Sequence, residues 1–248
     1  MTLLTGRRVI VTGGANGIGA VVARRFAELG ATGVVLDLAS TTATPPDGWT
    51  SAAVDVRDEE STSAAVAEAV RRLGGVDGVV AAAGVVPSWQ QVGELDLDDF
   101  DRVLAINARG VACTIKHTAP VLGQGSAITV VASLNSWRGD PNIVSYAASK
   151  HAALGIVRSA ALALGRSGVR VNAVAPGPIA TDALRERMES RRRTTGLGVD
   201  DALRRAAEST ALGRIATAGE VADVIAFLTS DLSSAVTGQL INVDGGIH

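Results

Sequence analysis

The chain is poor in aromatic residues and nearly devoid of cysteine. Aromatics make up 3% of its 248 residues while hydrophobic residues reach 47%, so alanine, valine, leucine and isoleucine must fill the core. The single cysteine, Cys113, cannot close an internal disulfide, and it is most simply a small core residue of a cytoplasmic protein. Charge of one sign is lacking too. A formal net charge of -2 argues against nucleic acid as a partner, because nucleic acid rewards a basic surface. No uninterrupted apolar run approaches the roughly 18 residues that a membrane span needs. Met1–Gly6 carries no apolar core or cleavage pattern of a secretory signal and leads straight into a strand pattern. His117 and His151 have no paired ligand spacing, so no metal is expected.

What is present is an alternation of short apolar runs with helical patterns, the mark of parallel strands joined by crossover helices. Strands are expected near Arg8–Val11, Gly33–Asp37, Ser51–Asp55, Val76–Ala82, Ser126–Val131, Arg170–Val174 and Gln239–Val243. Helices fit Gly17–Leu29, Glu59–Leu73, Leu97–Ala119, Ser145–Arg166 and Gly219–Thr229. Several strands are almost wholly apolar, as expected when helices cover both faces of a sheet. Thr41–Gly48 is a loop too short to link domains. The expected class is α/β: a three-layer, doubly wound Rossmann fold with a parallel seven-stranded sheet, forming one domain over 1–248.

Two stretches break the rhythm. Ser145–Arg166 is rich in alanine on nearly every face, which suits either a subunit interface or a helix buried within the monomer. Ala183–Arg214 is rich in arginine and polar residues between two strand–helix units, and is either a substrate lid or a solvated pair of helices.

Val9-Ile10-Val11 runs into Thr12-Gly13-Gly14-Ala15-Asn16-Gly17-Ile18-Gly19 and then a helix. In that arrangement Gly13 permits a tight turn, Gly17 lets backbone approach a pyrophosphate, and Gly19 lets the helix pack on the strand. The helix N-terminus then offers free N–H groups to phosphate. Asp37 closes the second strand, 18 residues after Gly19. A carboxylate there accepts hydrogen bonds from ribose hydroxyls and repels a 2′-phosphate, which favours NAD over NADP. The alternative is an ordinary turn aspartate.

Tyr146 and Lys150 lie at i and i+4, on one face of a helix. A free phenol is a poor base at neutral pH, and a neighbouring ammonium favours its ionised form. Ser133, 13 residues earlier, ends an apolar strand, and ligands of open α/β sheets sit outside such ends.

Taken in order, Thr12–Gly19, Asp37, Asp55-Val56, Asn107, Ser133, Tyr146, Lys150, Pro176-Gly177 and Asn242–Gly246 resemble the motifs of a compact short-chain dehydrogenase/reductase along essentially the whole chain. The resemblance implies that Tyr146 is the general acid/base and that Ser133 hydrogen-bonds the substrate oxygen. It implies that Lys150 holds the nicotinamide ribose and tunes Tyr146, and that Asn107 bends its helix to seat a relay water. Asp55 and Val56 would flank the adenine, and Pro176, Gly177, Ile179 and Thr181 would line the nicotinamide side. Gly13, Asn16, Gly17, Ile18, Gly19, Asp37, Ala82 and Gly84 complete the implied NAD contacts. A homotetramer acting on a small alcohol or ketone is also implied. The family often has Asn-Asn-Ala-Gly where this chain has Ala81-Ala82-Ala83-Gly84, so amides that would tie that strand to neighbouring backbone are missing.

The expected function is an NAD-dependent oxidoreductase moving a hydride between nicotinamide and a secondary alcohol or ketone. A reductase of carrier-bound 3-oxoacyl groups and a non-catalytic NAD-sensing regulator are the rivals. Asp37 opposes the first, and the presence of both Tyr146 and Lys150 opposes the second. Val85–Gln91, Leu134–Ile143 and Ala183–Leu212 would supply the substrate pocket. Trp89, Trp137 and Arg138 either line it or sit in surface loops.

Overall fold

Valine and isoleucine crowd the strand segments, and β-branched side chains suit a pleated surface packed on both sides. The computed structural model describes residues 2–41, 44–181, 184, 189 and 198–247. Among these residues seven segments form strands: β1 (Arg8–Thr12), β2 (Thr32–Asp37), β3 (Thr50–Ala53), β4 (Val76–Ala81), β5 (Leu122–Val131), β6 (Arg170–Pro176) and β7 (Leu240–Val243). Every pairing is parallel, in the order β3-β2-β1-β4-β5-β6-β7. The winding reverses between β1 and β4, which opens a crevice beyond the C-terminal ends of those strands.

The connecting helices among the described residues are α1 (Gly17–Glu28), α2 (Glu59–Leu73), α3 (Leu97–Leu104), α4 (Gly110–Thr118), α5 (Val144–Leu164), α6 (Val199–Glu208) and α7 (Ala218–Thr229). Strand side chains alternate between two apolar layers. Val9, Val11 and Val35 pack with Val22 and Phe26 of α1 and Ile225 of α7. Ile10, Val34 and Leu36 pack with Val66 of α2, Ile115 of α4 and Val157 of α5. Burying each such aliphatic side chain is worth about 1.5–3 kcal/mol, so the sheet is held firmly from both sides. The expected three-layer, doubly wound parallel sheet is therefore the observed one.

Several boundaries differ from the sequence expectation, among them β3, which ends at Ala53 rather than Asp55, and β6, which runs on to Pro176. The helix expected over Leu97–Ala119 is helical through Thr118, but a π turn at Ala105–Arg109 interrupts its ladder and divides α3 from α4. β5 starts at Leu122 rather than Ser126; its first residue pairs with Val76, and an irregularity follows before Gly78 meets Ala127. The glycines at 123 and 125 hid this first half, since it carries little apolar signal. The strand expected from Gln239 begins at Leu240, while the Gln239 carbonyl still accepts from Ala173 N–H.

Thr42 and Ala43 of the loop after β2, and residues 183, 185–188 and 190–197 of the candidate lid, lie outside the described residues. The far end of that lid is tied down: Thr210 bridges Ile247, and Ala211 N–H donates to the Gly246 carbonyl. Among the described residues no helix is long and apolar enough to cross a membrane.

Candidate functional site

At the end of β1 the backbone enters the left-handed region at Gly13, with φ +67°. A Cβ there would lie 2.5 Å from the Ala83 Cα, so only glycine lets the turn lie against the loop that follows β4. A Cβ on Gly19 would lie 2.1 Å from the Gly13 carbonyl oxygen, which fixes how closely α1 approaches the turn. Gly17 differs from both. Its φ is +54°, yet nothing among the described residues lies within 4 Å of an added Cβ, so it faces open space there. Asn16 caps α1 without a side-chain hydrogen bond to the helix. The N–H groups of the first turn thus lack a side-chain acceptor beside an open glycine, at the positive end of the helix dipole. This cradle fits the pyrophosphate of a dinucleotide.

Asp37, at the end of β2, faces the same turn. Its Oδ2 accepts from Ala15 N–H at 2.9 Å, and its Oδ1 accepts from Leu38 N–H at 2.8 Å and the Thr41 hydroxyl at 3.3 Å. The carboxylate is therefore a tie across the glycine turn, with no lysine or arginine among these partners. Asp55 is engaged by Arg57 at 2.7 Å, and the guanidinium's hydrogen bonds hold the carboxyl below the usual carboxylate range. Val56 is buried, and a Cβ on Gly110 would lie 2.8 Å from its Cγ2. Its side chain is thus a core contact, and its backbone is what remains for an adenine.

The groups expected to react gather at the end of β5. Ser133 caps a short 3-10 turn, Leu134–Ser136; its Oγ accepts from Asn135 N–H at 3.2 Å, while Ser136 Oγ accepts from Ser133 N–H at 3.3 Å. Ser133 spends a lone pair on the cap and keeps its hydroxyl proton for another acceptor. Lys150 is 6% exposed and donates from Nζ to the Val131 carbonyl at 2.8 Å. Its Nζ lies 5.6 Å from the centroid of the Tyr146 ring. No carboxylate pairs with Lys150 among the described residues, so its other N–H donors remain available.

Asn107 is fully buried at the centre of the π turn. Such turns interrupt the helical ladder and are frequent at functional sites. Its Oδ1 accepts from Val85 N–H at 2.8 Å, and its Nδ2 donates to the Val85 carbonyl at 2.8 Å and to Ser149 Oγ at 3.1 Å. Ser149 Oγ donates to the Tyr146 carbonyl at 2.7 Å. A Cβ on Gly84 would stand 3.2 Å from Asn107 Oδ1 and 3.6 Å from Lys150 Nζ, so Gly84 completes the close packing.

The structure thus gathers Asn107, Tyr146 and Lys150 around the start of α5, with Ser133 in the turn just beyond Val131. The sequence reading placed Val85 at the start of a pocket loop but missed its bond to Asn107, 22 residues away, and it gave no role to Ser149, whose partner Asn107 lies 42 residues away. The only cue to Ser149 is its place between Tyr146 and Lys150.

The walls follow from the neighbouring strand ends. Ala82 N–H donates to the Thr12 carbonyl at 3.1 Å, continuing the ladder beyond β4. Thr12 Oγ1 is buried beside this asparagine-free segment, without a partner among the described residues. Gly177 N–H donates to the Val243 carbonyl at 3.1 Å after Pro176 has closed β6. Ile179 is buried, and the Thr181 hydroxyl accepts from Leu184 N–H at 3.3 Å. Trp89 and Trp137 are 38% and 48% exposed, with Arg138 6.0 Å from the Trp137 ring centroid. Gln90 N–H donates to the Asn142 carbonyl at 2.9 Å, so their two loops are joined. A phenol beside a buried amine, with a hydroxyl donor nearby, is equipped to exchange a proton with a substrate oxygen.

Known proteins resemble the chain along nearly its whole length. The family described as "Enoyl-(Acyl carrier protein) reductase" matches residues 13–248. The chain is 40% identical to (-)-isopiperitenol/(-)-carveol dehydrogenase, mitochondrial, of Mentha piperita, over 99% of this chain and 94% of that one. It is 38% identical to cis-4-hydroxycyclohexanecarboxylate dehydrogenase of Sinomonas cyclohexanicum, covering 97% and 96% of the two chains. The crystal structure of carveol dehydrogenase from Mycobacterium avium in complex with NAD superposes with a TM-score of 0.91 at 29% identity, covering 99% of each chain.

The glycine turn can be tested without a substrate. Gly17→Ala introduces left-handed strain of roughly 1–2 kcal/mol but meets no protein atom, so the variant folds. Its methyl enters the cradle, and the Kd for NADH rises tenfold or more in a fluorescence titration. Gly19→Ala drives a methyl into the Gly13 carbonyl and lowers stability by about 3 kcal/mol in urea unfolding. Wild-type NADH affinity in Gly17→Ala would refute the cradle.

Proposed function

The chain belongs to the short-chain dehydrogenase/reductase family, and on that premise we propose that it is an NAD-dependent dehydrogenase of a small secondary alcohol, reversible as a ketone reductase. The observation that carries this reading is the placement of Lys150 Nζ, fixed by the Val131 carbonyl and set beside the Tyr146 ring, at the same sheet end as the open glycine cradle. Relatives named for carveol and for hydroxycyclohexanecarboxylate support a cyclic secondary alcohol as substrate.

Bound NAD supplies the hydride acceptor for alcohol oxidation, and NADH the donor for the reverse. Tyr146 takes the hydroxyl proton as the alcohol becomes a ketone and returns it on reduction. Ser133 donates its uncommitted O–H to the same oxygen, which orients the carbon that exchanges the hydride. Lys150 offers its remaining N–H donors to the nicotinamide ribose and its charge to the phenolate. Asn107 holds the loop from Val85 in place and opens its helix through the π turn. The glycine turn and Asp37 hold the adenosine half, with Asp55 and the Val56 backbone toward the adenine and Ala82, Pro176, Gly177, Ile179 and Thr181 toward the nicotinamide. The chain works as one domain. The cytoplasm is the proposed location, in keeping with the lone buried cysteine.

A reductase of carrier-bound acyl groups is the second reading, favoured by the description of the matching family. Cofactor choice and substrate separate the two. In a screen of cyclic secondary alcohols, kcat/KM with NAD exceeds that with NADP tenfold or more, because Asp37 repels the extra phosphate by at least about 1.4 kcal/mol. Asp37→Ala narrows the gap, mainly by weakening the NAD complex. Equal values for the wild type, or turnover confined to acyl-carrier substrates with NADPH, would overturn the proposal.

A homotetramer is part of the same proposal. Ala152, Gly155, Ile156 and Ala160 of α5 and Ala112 of α4 line an open, mostly apolar groove, and Leu162 beyond it is 85% exposed. Small side chains let a second copy's helices approach closely. Light scattering at micromolar concentration should give about four times the 25.2 kDa chain mass, and a monomer would contradict it.

A further inference from the structure

We infer that Ser149 is a positioning residue of the reaction: its hydroxyl couples Asn107 and the Val85 loop to the first turn of the helix that carries Tyr146. The polarity of this chain of hydrogen bonds is set by its ends. Val85 presents one N–H and one carbonyl to Asn107, so the Asn107 amide has a single orientation, with Oδ1 toward the N–H and Nδ2 toward the carbonyl. The second Nδ2 proton then points at Ser149 Oγ, which must act as acceptor. That leaves the Ser149 proton for the Tyr146 carbonyl, at 2.7 Å. Every group has one role, and no member can reverse without leaving a donor facing a donor.

Ser149 and Asn107 are both fully buried, so water cannot replace a lost partner without entering the protein. Removing the hydroxyl strands one Asn107 N–H in the interior, and the amide must tilt to recover an acceptor. A tilt loosens the grip on Val85, where the expected substrate loop begins, and shifts the π turn against α5. Asn107 Oδ1 and Lys150 Nζ also share the space beside Gly84, so the displacement is transmitted to the reacting end of α5. The glycine turn and Asp37 lie outside this network. Loss of Ser149 therefore acts on turnover and spares the binding of the adenosine half.

This rests on the oxidoreductase reading above, and the test keeps the two apart. Ser149→Ala is assayed beside wild type with the best alcohol from the screen, well below its melting temperature. The account expects kcat to fall on the order of tenfold, as for loss of one buried hydrogen bond, with the NADH Kd within about twofold. In Asn107→Ala/Ser149→Ala the two losses should not multiply, because both break one linkage. Hydrogen exchange of the Val85 amide, which needs no substrate, should speed up in Ser149→Ala.

A purely structural serine would lower the melting temperature and leave kcat and the coupling with Asn107 unchanged; that result overturns the proposal. Should Ser149→Ala fail to fold, Ser149→Cys keeps the size with a weak donor and acceptor, and wild-type kcat in that variant overturns it equally. If wild type turns over no alcohol or ketone, the functional reading fails, while the Val85 exchange result still decides the linkage.

Discussion

Lys150 places a side-chain amine almost wholly inside the protein, with the carbonyl of Val131 as its hydrogen-bond partner and no carboxylate paired with it among the described residues. Burying such a group is costly unless its donors are satisfied, and one carbonyl satisfies only one of them. A surplus of donors, held rigidly, is what a ribose and a reacting oxygen require. The arrangement depends on β5 ending at Val131 and on α5 lying across that end. The parallel sheet secures both, since its β5–β6 register runs without a shift from Ala127 to Val131. Displace that strand end and Lys150, Tyr146 and the Ser133 turn move apart.

The adenosine end follows the same economy. Asp37 is both the ribose-facing carboxylate of the proposal and the acceptor that ties Ala15 N–H into the glycine turn. The two alternatives posed by the sequence, ribose contact and turn aspartate, are compatible because the carboxylate has two oxygens with several lone pairs. Gly13 and Gly19 are glycines for the sake of the protein's own packing, whereas Gly17 faces open space. A glycine that clears nothing of its own chain is the one that makes room for a ligand.

Most of the fold was legible because parallel strands announce themselves as short valine-rich runs and their crossovers as helical periods. Tyr146 and Lys150 were legible because four residues on a helix make one face, and Tyr146 is the only tyrosine in the chain. The resemblance implied a bend at Asn107, but the residues alone did not show it, since the π turn over Ala105–Arg109 contains no proline or glycine to mark it. The bonds of Ser149 and Val85 to Asn107 were hidden for another reason: that shared partner is local only in space. The first half of β5 carries glycines where a strand pattern needs apolar residues. The exposure of Trp137 beside the site likewise depends on how the loop after Ser136 folds.

The central claim is that the Tyr146 phenol carries the proton. Tyr146→Phe retains the ring and its packing and removes the one transferable proton. Its kcat for alcohol oxidation and its NADH Kd should be measured beside those of wild type. The account predicts a fall in kcat of at least about 10²-fold, the scale of a lost general acid/base, with the Kd within about twofold. A variant that keeps more than about a tenth of wild-type kcat would show that another group moves the proton, and would contradict the account.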